Sequence, residues 1–190
     1  MSGDLFNSAG KRLYLTLEER RKFLAAADKE DRETRTFCYV LAYTGCRISE
    51  ALALTPEAID LAAGTIVFET LKKRRSGVYR AVPVPPTLLD MIGLAHGLRE
   101  KRVKRSAPLW AFGRTTAWKR IVSLMKAAGV RGPHATPKGL RHGFGVAAVQ
   151  AGVPLNLLQR WLGHAQLTTT AIYANAVGPE ERNIAQRMWA

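Results

Sequence analysis

Apolar positions recur at helical spacing over most of this chain, interrupted once by a block that alternates as strands do. Thr16 followed three residues later by Glu19 is a capping-box pattern, in which each side chain satisfies a backbone N–H left open at a helix start. It predicts a helix running to about Asp28. Phe37, Val40, Leu41 and Tyr43 share one face of a second helix, closed by Gly45, which lets the chain turn sharply. Arg47 to Leu54 predicts a short helix with Ile48, Leu52 and Leu54 toward the core and Glu50 one turn from Arg47. The period then changes. Ala58–Leu61, Thr65–Thr70 and Val78–Val84 are short, β-branched or alternating, and separated by turn-forming residues, which predicts a small three-stranded antiparallel sheet.

Pro85 and Pro86 stop the sheet, and helical spacing resumes over Thr87–Glu100 despite Gly93 and Gly97. The basic run Lys101–Arg105 reads as a solvated connection. Arg114–Ala128 is amphipathic, with Trp118, Ile121, Val122, Leu124 and Met125 expected on its apolar side. Pro137 suits the first turn of a helix reaching about Ala151, where Gly152 breaks it. Short helices follow over Pro154–Leu162, Thr168–Ala174 and Pro179–Trp189. The expected fold class is therefore α+β, mainly α-helical, with one small sheet. Residues 1–12 are small, polar and basic and read as a flexible leader, with a single domain over 13–190.

Composition narrows the partners. A chain of 190 residues suits one well-buried domain. Lysine and arginine number 29 against 15 acidic residues, a net charge of +14, which points to a polyanion, nucleic acid first. With 47% hydrophobic residues the charge decorates a folded core and does not mark a disordered tail. Charge alone leaves ribosomal or membrane-surface roles open. Cys38 and Cys46 are too far apart for a redox or zinc motif, and four scattered histidines complete no metal site, so neither metal nor cofactor is expected. No apolar run reaches the roughly 18 residues of a membrane span, and the N-terminus has no signal-like apolar core. The expectation is a cytoplasmic protein without a membrane partner.

The candidate chemistry lies between Ala135 and Asn175. Lys138, Arg141 and His142 open one helical segment, His164 follows the next, and Tyr173 ends a third, while Arg47 comes from T-G-C-R-I-S-E far upstream. These are the parts for attack on a phosphodiester: arginines clamp a phosphate with two hydrogen bonds and stay charged, and a phenol is a nucleophile once cations favour its phenolate. T-G-x-R-x-x-E, then L-R-H, L-G-H and a tyrosine nine residues on resembles the catalytic domain of the tyrosine recombinases, the phage integrase family, from about Thr16 to the C-terminus. That family most often has histidine three residues before the second arginine, where this chain has Lys138.

The resemblance implies a site-specific recombinase that cuts and rejoins double-stranded DNA through a 3′-phosphotyrosyl link. It makes Tyr173 the nucleophile, Arg47 and Arg141 the phosphate clamps and His164 a supporting donor; Glu50, one turn from Arg47, is the partner that a buried arginine would need. It also implies a lysine on the loop between the second and third strands as the acid for the leaving 5′-oxygen. Lys72 fits that place, Lys73 competes with it, and Arg74 and Arg75 complete a DNA-reaching loop. The base that takes the tyrosine proton stays open: Lys138 acts as a base only when neutral, and His134 and His142 are nearby histidines that could compensate. His142 otherwise reads as a core histidine with a satisfied hydrogen bond.

Taken singly these residues have plainer readings: Arg141 a surface cation, Tyr173 half-buried packing, Arg47 and Glu50 a helix ion pair, the lysine-rich loop a solvated tip. Trp118, Trp161 and Trp189 read as core or docking residues rather than stacking platforms. The family's second, N-terminal helical DNA-gripping domain has no counterpart here, which fits either a fragment or a compact recombinase like the fimbrial invertases. The family also implies a homotetramer on DNA joined through the C-terminal segment, here Pro179–Trp189. Two other functions remain: a type IB topoisomerase, and a DNA-binding regulator that kept the fold but lost cleavage, the reading Lys138 favours.

Overall fold

The structure, a computed structural model, describes residues 5–70, 77–100 and 104–175, together with Gln186 and Met188. Helices α1 (Leu17–Ala27), α2 (Arg32–Thr44) and α3 (Ile48–Leu52) lead into strands β1 (Ile59–Asp60), β2 (Thr65–Glu69) and β3 (Tyr79–Pro83). Helices α4 (Pro86–His96), α5 (Arg114–Ala127), α6 (Pro137–Gln150), α7 (Leu155–Leu162) and α8 (Thr168–Ala171) follow, and a 3-10 turn at Ile172–Asn175 ends the described run. The capping box forms as its residues dictate: Thr16 Oγ1 accepts from the Glu19 N–H at 3.2 Å, and Glu19 Oε2 from the Thr16 N–H at 2.9 Å. The sheet is antiparallel in the order β1-β2-β3, with Ile66 opposite Val82 and Phe68 opposite Arg80. The mainly helical α+β class expected from the periodicity is the fold observed.

The main core is built where the apolar faces of α1, α2, α4 and α5 meet the inner face of the sheet, around Phe23, Phe37, Ile66, Phe68, Ile92, Trp110, Ile121 and Met125. A second apolar cluster, Leu5, Val146, Ala148, Leu158, Leu162 and Tyr173, lies between α6, α7 and the chain's start. Its membership corrects the expected leader. The Leu13 N–H donates to the Leu5 carbonyl at 2.7 Å, Phe6 bridges Arg12, and Leu5 is buried, so 5–12 fold back as a turn. The apolar Leu5 and the Arg12–Glu19 pair at 2.6 Å hold it there. Three helix expectations also shift: α4 stops at His96, four residues early; the last helix tightens to 3-10 after Ala171; and Trp118 of α5 is solvent-exposed, with Val122 half-buried. Pro179–Trp189 as a helix, and the docking role given to it, lie outside the described residues apart from Gln186 and Met188.

Candidate active site

Arg47 at the start of α3, Lys138, Arg141 and His142 on the first turns of α6, His164 after α7 and Tyr173 after α8 all line one cleft of about 670 Å³. Among the described residues no aspartate or glutamate lines it, while Arg114 adds a further cation. The sequence-derived residues Arg47, Lys138, Arg141, His142, His164 and Tyr173 are thus brought together. Lys72, Lys73, Arg74 and Arg75 fall in 71–76, outside the described residues. His134 is held elsewhere, its Nε2 2.9 Å from Glu19 Oε1, and is not among the residues lining the cleft.

Arg141 is buried, and its guanidinium is fixed from two sides. Nη1 donates to the Gly45 carbonyl at 2.6 Å and Nη2 to the Leu162 carbonyl at 2.7 Å. Both acceptors sit at helix C-terminal ends, where unpaired carbonyls favour a cation. Gly45 is required twice over: its φ is +61°, and a Cβ there would come within 2.5 Å of the Phe144 ring. Burial, with Arg47 nearby, pulls the Arg141 pKa down to about 10, which leaves it charged at neutral pH.

Arg47 keeps 44% of its side chain exposed to the cleft. It is steadied by Glu50, whose Oε1 accepts from Arg47 Nη1 at 2.8 Å and whose Oε2 accepts from the Arg47 backbone N–H at 2.8 Å. Glu50 is itself buried, and Arg80 completes its shell through Nη2 at 2.6 Å. Burial would raise the Glu50 pKa, but Arg80 and Arg47 together hold it below the ordinary value. Arg80 also donates Nε to the Trp161 carbonyl at 2.8 Å. Arg80 and Arg141 therefore grip adjacent carbonyls at the end of α7, just before Gly163 and His164. Sequence reasoning missed Arg80. The signal was present in β3, where Tyr79, Ala81 and Pro83 face out and Arg80 shares the inward register with Val82.

The nucleophile candidate is closed in. Tyr173 is 1% exposed; its hydroxyl lies 3.1 Å from His142 Nδ1, and its ring stacks on His164 at 6.3 Å with a 12° tilt. Burial raises the phenol's pKa against the pull of Arg141 and Arg47. Burial, with Lys138 and Arg141, drives His142 down to about 4; burial, Arg141 and Arg47 take His164 to about 3. Both imidazoles are neutral at pH 7. His142 therefore differs from the expected satisfied core histidine: one nitrogen meets the Tyr173 hydroxyl, and Nε2 is buried without a partner among the described residues. His164 Nδ1 contacts Thr170 Oγ1 at 2.9 Å, which sets the ring's orientation.

Among known proteins, the model of the Phage integrase family matches residues 13–178. The chain is 29% identical over 182 residues to tyrosine recombinase XerA of Pyrococcus furiosus, covering 91% of this chain and 60% of that protein. A crystal structure of XerA recombinase superposes with a TM-score of 0.78 and 26% identity over 97% of this chain and 66% of that one. XerH site-specific recombinase in a post-cleavage complex with palindromic difH substrate superposes at 0.76 and 28% identity, over 94% and 54%. The chain thus spans about 60% of the length of the XerA relative it matches. With the family's model covering the chain from α1 through Tyr173, and the fold agreeing throughout, the protein belongs to the Phage integrase family.

Proposed function

We propose that this chain is a DNA strand-transferring enzyme of the site-specific recombinase type, in which Tyr173 attacks a phosphodiester and carries the cut strand as a phosphotyrosyl ester. The observation that carries this reading is the cleft that Arg47, Lys138, Arg141 and His164 line together with one tyrosine, with no carboxylate among its described lining residues. Attack on a phosphodiester adds charge to the non-bridging oxygens, and fixed N–H donors aimed there stabilise it most. Arg141, held at two points, and Arg47, open to the cleft, are the clamps. His164, kept neutral, donates through Nε2–H when Nδ1 accepts from Thr170. Lys138 as an ammonium donates to the phosphate and takes the Tyr173 proton only in its neutral form.

His142 acts differently. Even an ordinary phenol, titrating near 10, would lose ~8 kcal/mol in passing its proton to a group about six units lower, so His142 orients the hydroxyl and is not its base. In the transfer the phosphorus–O5′ bond breaks as the phosphorus–tyrosine oxygen bond forms, the phenol's proton passes to Lys138 in its neutral form, and a second lysine, Lys72 or Lys73, protonates the leaving oxygen. The ester conserves the bond energy, so a 5′-hydroxyl reverses the step and reseals DNA without a cofactor. The active assembly is a homotetramer on duplex DNA, in the cytoplasm, joined through the C-terminal segment.

The test mixes the protein and Tyr173→Phe with supercoiled plasmid libraries, denatures with detergent and sequences protein-linked ends. A covalent adduct in the unaltered protein alone, at a defined sequence, is the expected result. Adducts without sequence preference, with relaxation of any plasmid, would mean a topoisomerase; no adduct in either would mean a DNA-binding protein without cleavage.

A further inference from the structure

The wall of the cleft carries a tryptophan that the chemistry above does not use. Helix α5 buries Ala117, Ile121, Leu124 and Met125, and that face excludes Trp118, which is 48% exposed and lines the cleft beside Arg114, Lys138 and Ile48. A large indole left in water in a cleft that also holds four cationic side chains asks for a ligand with two kinds of surface. It needs negative charge for Arg47, Arg114, Lys138 and Arg141, and a flat apolar face for the ring. A free phosphate or a phosphoserine side chain supplies only the first. A DNA strand supplies both, because sugar and base faces alternate with phosphates along it.

We infer that Trp118 is a substrate-contact residue whose indole packs on the sugar or base of a nucleotide flanking the phosphate held in the cleft. This rests on the DNA reading proposed above. Packing there shields that part of the cleft from water and sets the strand's register, while the arginines hold the charge. Because aromatic stacking tolerates any base, the contact operates on DNA of mixed sequence as well as on a target site.

The test uses the full chain, Trp118→Phe and Trp118→Ala with a fluorescently labelled mixed-sequence duplex at low salt. Binding is read by anisotropy of the label, and indole exposure by acrylamide quenching of tryptophan emission with and without DNA. The chain has three other tryptophans, Trp110, Trp161 and Trp189, so the Trp118 signal is the difference between the unaltered protein and Trp118→Phe. The expected result is that DNA shields this difference signal from quencher. Trp118→Phe should bind within about threefold of the unaltered protein and Trp118→Ala about tenfold more weakly, ~1.4 kcal/mol, with unchanged thermal unfolding. DNA binding that leaves the difference signal as quenchable as before, with Trp118→Ala binding normally, overturns the inference and spares the DNA reading. No binding of any variant at low salt overturns both.

Discussion

Replacing Arg80 with Met tests whether the buried Glu50 is what ties the sheet to the cleft. Glu50 and Arg80 keep only 2% and 4% of their side chains exposed and pair at 2.6 Å. Breaking such a pair from one side costs about 3–5 kcal/mol, because an uncompensated charge stays buried. Arg80→Met leaves Glu50 its two contacts from Arg47, which places the loss at the low end, about 3 kcal/mol. Glu50→Gln strands the Arg80 guanidinium, with the Trp161 carbonyl and a long 3.4 Å contact to Thr70, and costs a similar amount. The double variant removes both charges and retains one unmet carbonyl at Trp161, worth about 1–2 kcal/mol. A double-mutant cycle by urea denaturation should therefore give a coupling of about 3 kcal/mol or more. Additive losses, within about 0.5 kcal/mol, would refute the pairing as the organising contact. Because Glu50 also holds Arg47, Arg80→Met alone should slow adduct formation, and the second substitution should not restore it fully.

Three further outcomes follow from the geometry. Gly145→Ala would place a Cβ 2.5 Å from the Tyr173 ring carbons; overpacking of about 1–3 kcal/mol outweighs the gain in helix propensity, so thermal unfolding should fall and adduct formation should be lost. His142 titrates lower folded (about 4) than unfolded (about 6.5), so the unfolded chain binds the extra proton. The His142 contribution is full above pH 6.5 and falls by about 2 kcal/mol between pH 7 and pH 5; His164, at about 3, adds a similar loss, so in urea denaturation His142→Gln should remove about half of the slope. DNA affinity should fall steeply with salt, and Lys138→Met should lower the logarithmic slope by about one in an anisotropy titration.

The chain's periodicities carried the fold because each element buries its own apolar face: Phe37, Val40 and Leu41 could be assigned to one side of α2 from spacing alone. Spacing failed where a residue's partner comes from far along the chain. Trp118 fits the apolar arc of α5, yet the neighbouring helices cover the arc around Ala117 and Ile121, which no local pattern encodes. Leu5 sits in a polar, glycine-containing start that reads as loose, and only the pocket between α6 and α7 gives it a place. The six cleft residues were legible because their motifs keep fixed order, whereas the contact between His142 and Tyr173 depends on how α8 ends. Arg80 was legible in principle, as a charge in an inward strand register, and its partner Glu50 was already singled out.

The burial that makes Arg141 costly is also what makes it useful. A guanidinium loose on the surface would lose side-chain freedom each time it met a phosphate. Here that ordering is completed on folding, through the carbonyls of Gly45 and Leu162. The same carbonyls are the open ends of α2 and α7, so the fold's own unsatisfied groups hold the cation, and the cation in turn fixes the turn that carries His164. With both imidazoles neutral, neither adds a charge to the cleft that changes across the physiological pH range. The cleft thus presents N–H donors already held in place beside a phenol whose pKa burial raises against the pull of Arg141 and Arg47.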